Sequence, residues 1–163
     1  MGEAYVELMQ QARKQMHLAD HMVYVTYPMV QETRFLLAIL NHVTNASRLA
    51  LQALLEFEYI YKRIDAFNRT FAGEIRTYKE KIQGRYGMDA KYLKLLQRLM
   101  DLEKYDKNSP VRFKRGDKYI LSTTEYNMSV LDLATIKRYN ELAKKFVSAV
   151  SDITAKTEHV NVI

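Results

Sequence analysis

The chain has 163 residues, 48% of them hydrophobic, and a formal net charge of +6; that length suits one domain, here 1–163, with one buried core, and excludes wholesale disorder. It contains no cysteine, which removes disulfides, thiolate zinc sites and cysteine nucleophiles together and fits a reducing, cytoplasmic setting. MGEAYVELMQQ has acids and no apolar run, unlike a signal peptide, and FLLAIL, the longest apolar run on the second helix, is far short of the roughly 20 residues a membrane span needs.

Tyr5, Leu8, Ala12, Met16, Ala19 and Val23 recur at three- and four-residue steps, which predicts a first helix with one apolar stripe. The β-branched VYVTY weakens it and Pro28 is expected to close it, leaving YPMVQET as the first turn. The second helix is the clearest element. Leu36, Ile39, Val43, Ala46, Ala50, Ala53, Phe57, Ile60 and Ile64 keep a three-four spacing that predicts a long central post, with alanines where a neighbour can approach closely. Phe71, Ile75, Tyr78 and Ile82 predict a third helix ended by GRYG; Asp89 then caps a further helix carrying Tyr92, Leu95, Leu96, Leu99 and Leu102. Asn108-Ser109-Pro110 stops it, and VRFKRGDKYIL alternates apolar and polar residues around Arg115-Gly116-Asp117, the pattern of a β-hairpin over about 111–123. Ser129 or Asp132 is the expected cap of a last helix buried through Ile136, Tyr139, Ala143, Phe146, Val150 and Ile153, with a loose tail over 155–163. The expected architecture is all-α: an antiparallel bundle of four to five helices with a small β-hairpin before the last.

His17 and His21, four apart, project from one helical face, a geometry zinc can use. Two ligands do not make a site, neither H-E-x-x-H nor a Glu-x-x-His pair is present, and no metal or cofactor is expected. The imidazoles are read as flanks that shield the packing stripe. There is no G-x-S-x-G elbow and no glycine-rich phosphate loop. Glu56 and Glu58, two apart on a helix, diverge and cannot share a proton. Arg13 and His17 are the one pair with catalytic chemistry: arginine stabilises charge on a phosphoryl group while histidine moves the proton.

Two further features point outward. Asn41, His42, Asn45 and Arg48 belong to a polar strip along the second helix, readable as a solvent face or as a groove. Between Lys62 and Arg98 stand ten basic residues against four acids, a surplus equal to the whole net charge. Arg69, Arg76, Lys79, Arg85, Lys91, Lys94 and Arg98 are the candidates for an anionic partner, RNA or an acidic protein. Tyr61, Tyr78, Tyr86 and Tyr92, each beside a basic residue, could supply base stacking.

NHVTNASRLALQALLEFEYIYKRI, carrying His42, Asn45 and Arg48 within a small helical bundle, resembles the HEPN domain. ADHMVYVTYP, that helix and SPVRFKRGDKYILSTTEYNMSVLDLATIKRY together resemble a family of small archaeal proteins, over most of the chain and with no activity attached. The HEPN resemblance implies a metal-independent endoribonuclease of toxin type or a non-catalytic relative. Catalytic HEPN domains place histidine after arginine at a spacing wider than the three residues between Arg13 and His17 and narrower than the seven between Arg34 and His42. The leading expectation is therefore a non-catalytic, homodimeric interaction module that binds RNA or an acidic protein. The ribonuclease built on Arg13 and His17 is the alternative, and a purely structural dimeric scaffold the second alternative.

Overall fold

The computed structural model describes residues 3–108, 111–115, 118–122 and 128–160. Its frame is a helical bundle. α1 (Glu3–His21) runs into a π-helical turn (Met22–Thr26) and then α2 (Tyr27–Val30). α3 (Arg34–Ile60) follows, then α4 (Phe71–Thr77) with a second π-helical turn (Tyr78–Ile82), α5 (Ala90–Asn108) and α6 (Leu133–Val160).

The first helix does not stop at Pro28. His21, Thr26 and Tyr27 all keep right-handed helical angles, and the rod ends only at Gln31, whose φ of 52° is left-handed. Proline lacks an N–H and its ring crowds the carbonyl one turn back. Here the turn before it is widened, with Tyr27 N bonded to Met22 O five residues earlier, and Pro28 falls in the first turn of α2. A π-bulge thus absorbs the proline that was expected to break the helix. His17 and His21 consequently lie inside a longer rod.

α3 is the post that the spacing predicted. Leu36, Ile39, Val43, Ala46, Ala50, Leu51, Ala53, Leu54, Leu55 and Phe57 are fully buried, and its main neighbours are α1 and α6. Tyr5 meets Phe57 edge-on at 5.2 Å and Gln15 meets His42, so α1 and α3 run antiparallel. Arg13 reaches Ser151 and Asp20 reaches Asn140, so α6 is also antiparallel to α1. The predicted stripe outlasts the helix: α3 ends at Ile60, Lys62 takes a φ of 59°, and Ile64 is buried from the connection.

Thr70 caps α4 by accepting from Gly73 N at 3.1 Å. The break expected at GRYG is a turn over Gln83–Gly87, with Gly87 at φ +57°, and Asp89 Oδ1 then accepts from Lys91 N at 2.9 Å. Thr70–Ala72 line one cleft with Met100–Lys104, so α4 and α5 form an antiparallel hairpin. α5 packs on α6 through Tyr92 and Phe146, 5.4 Å apart.

Between α5 and α6 the chain is extended. β1 (Val111–Arg115), β2 (Lys118–Ser122) and β3 (Met128–Leu131) pair antiparallel in the order β1-β2-β3, with Phe113 opposite Ile120 and Ile120 opposite Val130. A three-stranded sheet takes the place of the two-stranded hairpin expected; Gly116 and Asp117 of its turn, and Ser109-Pro110, lie outside the described residues. Ser129 falls in β3, and the cap is Asp132, whose Oδ1 accepts from Thr135 N at 2.8 Å. Hydrogen bonding from the Thr135 side chain, and then from its backbone N–H, holds the Asp132 carboxyl below its usual range. α6 continues to Val160, six residues beyond Thr154, because backbone bonding sustains a helix after its apolar stripe has faded. Residues 161–163 of the expected tail lie outside the described ones.

Candidate functional site

Three surfaces hold the residues singled out by sequence. The first is an open cleft of about 370 Å³ between α1 and α6. α1 buries Tyr5, Met9, Ala12, Met16 and Ala19, so Arg13, His17 and Asp20 fall on the edge of that stripe facing α6. Arg13 Nη2 donates to Ser151 Oγ at 2.5 Å. Asp20 Oδ1 accepts from Lys144 Nζ at 2.9 Å and Asn140 Nδ2 at 3.1 Å. Burial pushes the Asp20 carboxyl up, but the bonds from Lys144 and Asn140 and the nearby positive charge outweigh it, and the net shift is downward. The bond to Asp20 holds Lys144 above its ordinary value. The cleft therefore joins two fixed cations, one carboxylate and an exposed imidazole, His17. Such a set can hold an anion and place a proton carrier beside it.

Neither histidine shields the stripe as expected. His17 and His21 are both exposed, while Met16 and Ala19 of the same helix are buried. His21 Nδ1 lies 3.5 Å from Thr26 Oγ1. Among the described residues no three His, Asp or Glu side chains cluster as metal ligands.

The second surface is the basic segment, which divides in two. Arg69 pairs with Glu56, and Arg85 donates to Glu58 at 2.7 Å. Arg98 Nε donates to Tyr139 at 3.3 Å. Arg76, Lys79, Lys91 and Lys94 are exposed, and no acid among the described residues pairs with them. The tyrosines turn inward. Tyr78 is fully buried against Phe146 and Tyr92 leans on the same ring. Tyr86 donates to Glu58, and burial together with that bond pushes its hydroxyl up to about 12. Tyr61 packs on Phe57. None of the four is free to stack on a base.

The third is the polar strip of α3, which the structure splits. His42 faces α1, with Nδ1 2.7 Å from Gln15 Oε1. Asn41, Asn45 and Arg48 line a cleft of about 290 Å³ against Leu102 and Glu103 of α5. Arg48 Nη2 donates to Glu74 Oε1 at 3.0 Å, and Gln52 Nε2 to the same oxygen at 3.4 Å. Burial pushes the Glu74 carboxyl up, against the lowering effect of Arg48 and Gln52.

Sequence reasoning missed the buried ion pairs of Glu58 and Glu74 and the part played by Lys144. A signal existed for the two acids: Glu58 follows Leu54 and Leu55 by four and three, and Glu74 lies between Phe71 and Ile75, so each falls on an apolar stripe. Nothing local marks Lys144, whose partner Asp20 is 124 residues away. No family model matches the chain, and no curated protein and no solved structure matches it either.

Proposed function

We propose that this chain is a non-catalytic RNA-binding module that grips phosphates with the α4–α5 hairpin. The observation that carries this reading is the exposure of Arg76 and Lys79 on one arm and Lys91 and Lys94 on the other, while the neighbouring arginines are tied to internal acids and a phenol. Flexible cations without a stacking platform contact the sugar–phosphate backbone and leave bases unread, so binding tolerates any sequence. Anisotropy of a labelled RNA duplex titrated at several salt concentrations tests it. Affinity is expected to fall linearly on a log–log plot, and each lysine of the hairpin changed to glutamine reduces that slope by about 1. A flat salt response, or stronger binding of a polyglutamate, points to an acidic protein instead.

The module is proposed to work as a homodimer joined along the exposed apolar face of the first helical rod, where Leu18, Val25 and Met29 lie open to solvent.

A second reading, a metal-independent ribonuclease of HEPN type, is favoured by one observation: Arg13 and His17 share the α1–α6 cleft with Lys144. In it the Arg13 and Lys144 cations stabilise the phosphoryl oxygens and His17 transfers the proton. It requires RNA cleavage in EDTA that disappears in His17→Ala; no cleavage in either form, with RNA affinity kept in His17→Ala, leaves the binding module.

A further inference from the structure

We infer that the groove between α3 and α5 receives an extended peptide segment ending in a free carboxylate, with Arg48 holding the carboxylate and the side-chain amides of Asn41 and Asn45 bonding successive peptide groups. The cleft of about 290 Å³ has Leu37, Leu40 and Leu102 as its apolar surface and Asn41, Asn45 and Arg48 as its polar one. It meets a second cleft of about 330 Å³ at Arg48 and Glu103, where Phe71, Met100 and Lys104 continue the wall. The site does not depend on the α4–α5 lysines and stands or falls apart from RNA binding.

Arg48 is preorganised. Its guanidinium stacks 5.0 Å from the Phe71 ring centroid and Nη2 is fixed on Glu74. Nε is buried without a hydrogen-bond partner, yet the side chain as a whole stays one-third exposed. A guanidinium carries five N–H donors; with Nε buried and Nη2 on Glu74 Oε1, the remaining Nη N–H groups are those left for an incoming anion. Holding it in place beforehand removes part of the ordering cost of binding. Glu103 lines both clefts, which disfavours a dianion such as phosphate and suits a singly charged carboxylate flanked by N–H groups.

The amide spacing selects a peptide. Asn41 and Asn45 are one helical turn apart, about 6 Å along the axis, and Arg48 lies almost one turn further on. An extended chain repeats every two residues, about 6.6 Å. Each asparagine amide offers both a donor and an acceptor, the complement of a peptide C=O and N–H. Three groups on one helical face therefore match a carboxyl terminus and the peptide groups that precede it, with an intervening side chain against the leucines.

The probe is acetyl-Ala-Leu-Ala, as the free acid and as the carboxamide, titrated into 15N-labelled full-length protein. The acid is expected to shift the side-chain amide signals of Asn41 and Asn45 saturably and to bind about tenfold more tightly than the carboxamide, the scale of one charge-assisted hydrogen bond. The double variant Asn41→Ala/Asn45→Ala removes exposed side chains and leaves the Arg48–Glu74 pair intact, so it should melt as the parent does and lose the binding. No saturable shift, equal binding of acid and carboxamide, undiminished binding by the double variant, or acetate alone binding as tightly as the tripeptide would each overturn the inference.

Discussion

Glu74 carries a carboxyl into the interface of α3 and α4 with Oε1 bonded to Arg48 and Gln52 and Oε2 buried without a partner. A buried charge that is only half satisfied is costly, and burial accordingly raises the Glu74 pKa in spite of Arg48. The sign of the linkage follows. With its folded pKa above the unfolded value, Glu74 takes up a proton more readily in the native state, so its contribution is fully present below the unfolded pKa, about 4.3, and is lost as pH rises through the folded value. Glu74→Gln imitates the protonated form at every pH. The melting temperature of the parent minus that of Glu74→Gln is therefore expected to fall as pH rises from 4 to 7. A difference that stays flat would mean that Glu74 titrates alike in the folded and unfolded chain. Asp20 has the opposite sign: its lowered pKa adds stability that is present above the unfolded pKa and lost as pH falls. The sequence marks Glu74 by its place on an apolar stripe, but the opposite signs of the two shifts come from the burial and the partners each acid meets in space.

At the scale of elements, legibility followed the range of the interaction. The α3 post could be read because every one of its core positions is a local repeat, and Asp132 could be read as a cap because capping acts over three residues. The continuation of the first helix through Pro28 could not, since the relief comes from the π-helical turn Met22–Thr26, which no residue type marks. The cleft was half legible: Arg13 and His17 share a helical face by spacing, but Ser151, which holds Arg13, is 138 residues away. The start of α4 shows how closely a local element can depend on its approach. Alanine is favoured over glycine inside a helix by about 1 kcal/mol, yet a Cβ on Gly73 would come within 2.5 Å of Asn68 O and 2.7 Å of Asn68 Cβ. Asn68 Oδ1 accepts from Thr70 N at 3.0 Å, and Thr70 is the cap of α4. The turn cannot give way without disturbing both bonds. Gly73→Ala is expected to destabilise by about 1–3 kcal/mol, as overpacking does, and to lower the melting temperature by about 2–4 °C for each kcal/mol. Gly84→Ala, where a Cβ meets nothing within 4 Å, is the control and should melt no lower than the parent.

For the molecule as a whole, charge and apolar exposure make opposite demands on salt. Leu18, Met22, Val25 and Met29 follow one another at steps of four, three and four along the first helical rod, with Met22 half-buried against the core and Met29 81% exposed. The rod runs through the π-helical turn and past Pro28, so Met29 adds one position to those that a helix ended at the proline would have offered. A four-three-four spacing reads the same in both directions. Two copies related by a two-fold axis would lay Leu18 against Met29 and Met22 against Val25, an isologous contact of the kind most homodimers use. Each copy brings a charge of +6, so their mutual repulsion is relieved as salt screens it. RNA binding through the α4–α5 cations is expected to respond in the opposite way, weakening as counterion release loses its advantage. Sedimentation velocity at low and high salt, set beside the RNA titrations, separates the two surfaces. The proposed dimer should tighten or hold as salt rises while RNA affinity drops, and Val25→Lys/Met29→Lys should remain monomeric throughout with its RNA salt slope unaltered. A parent chain that sediments as a monomer at every concentration and salt would remove the dimer and leave the hairpin to act alone.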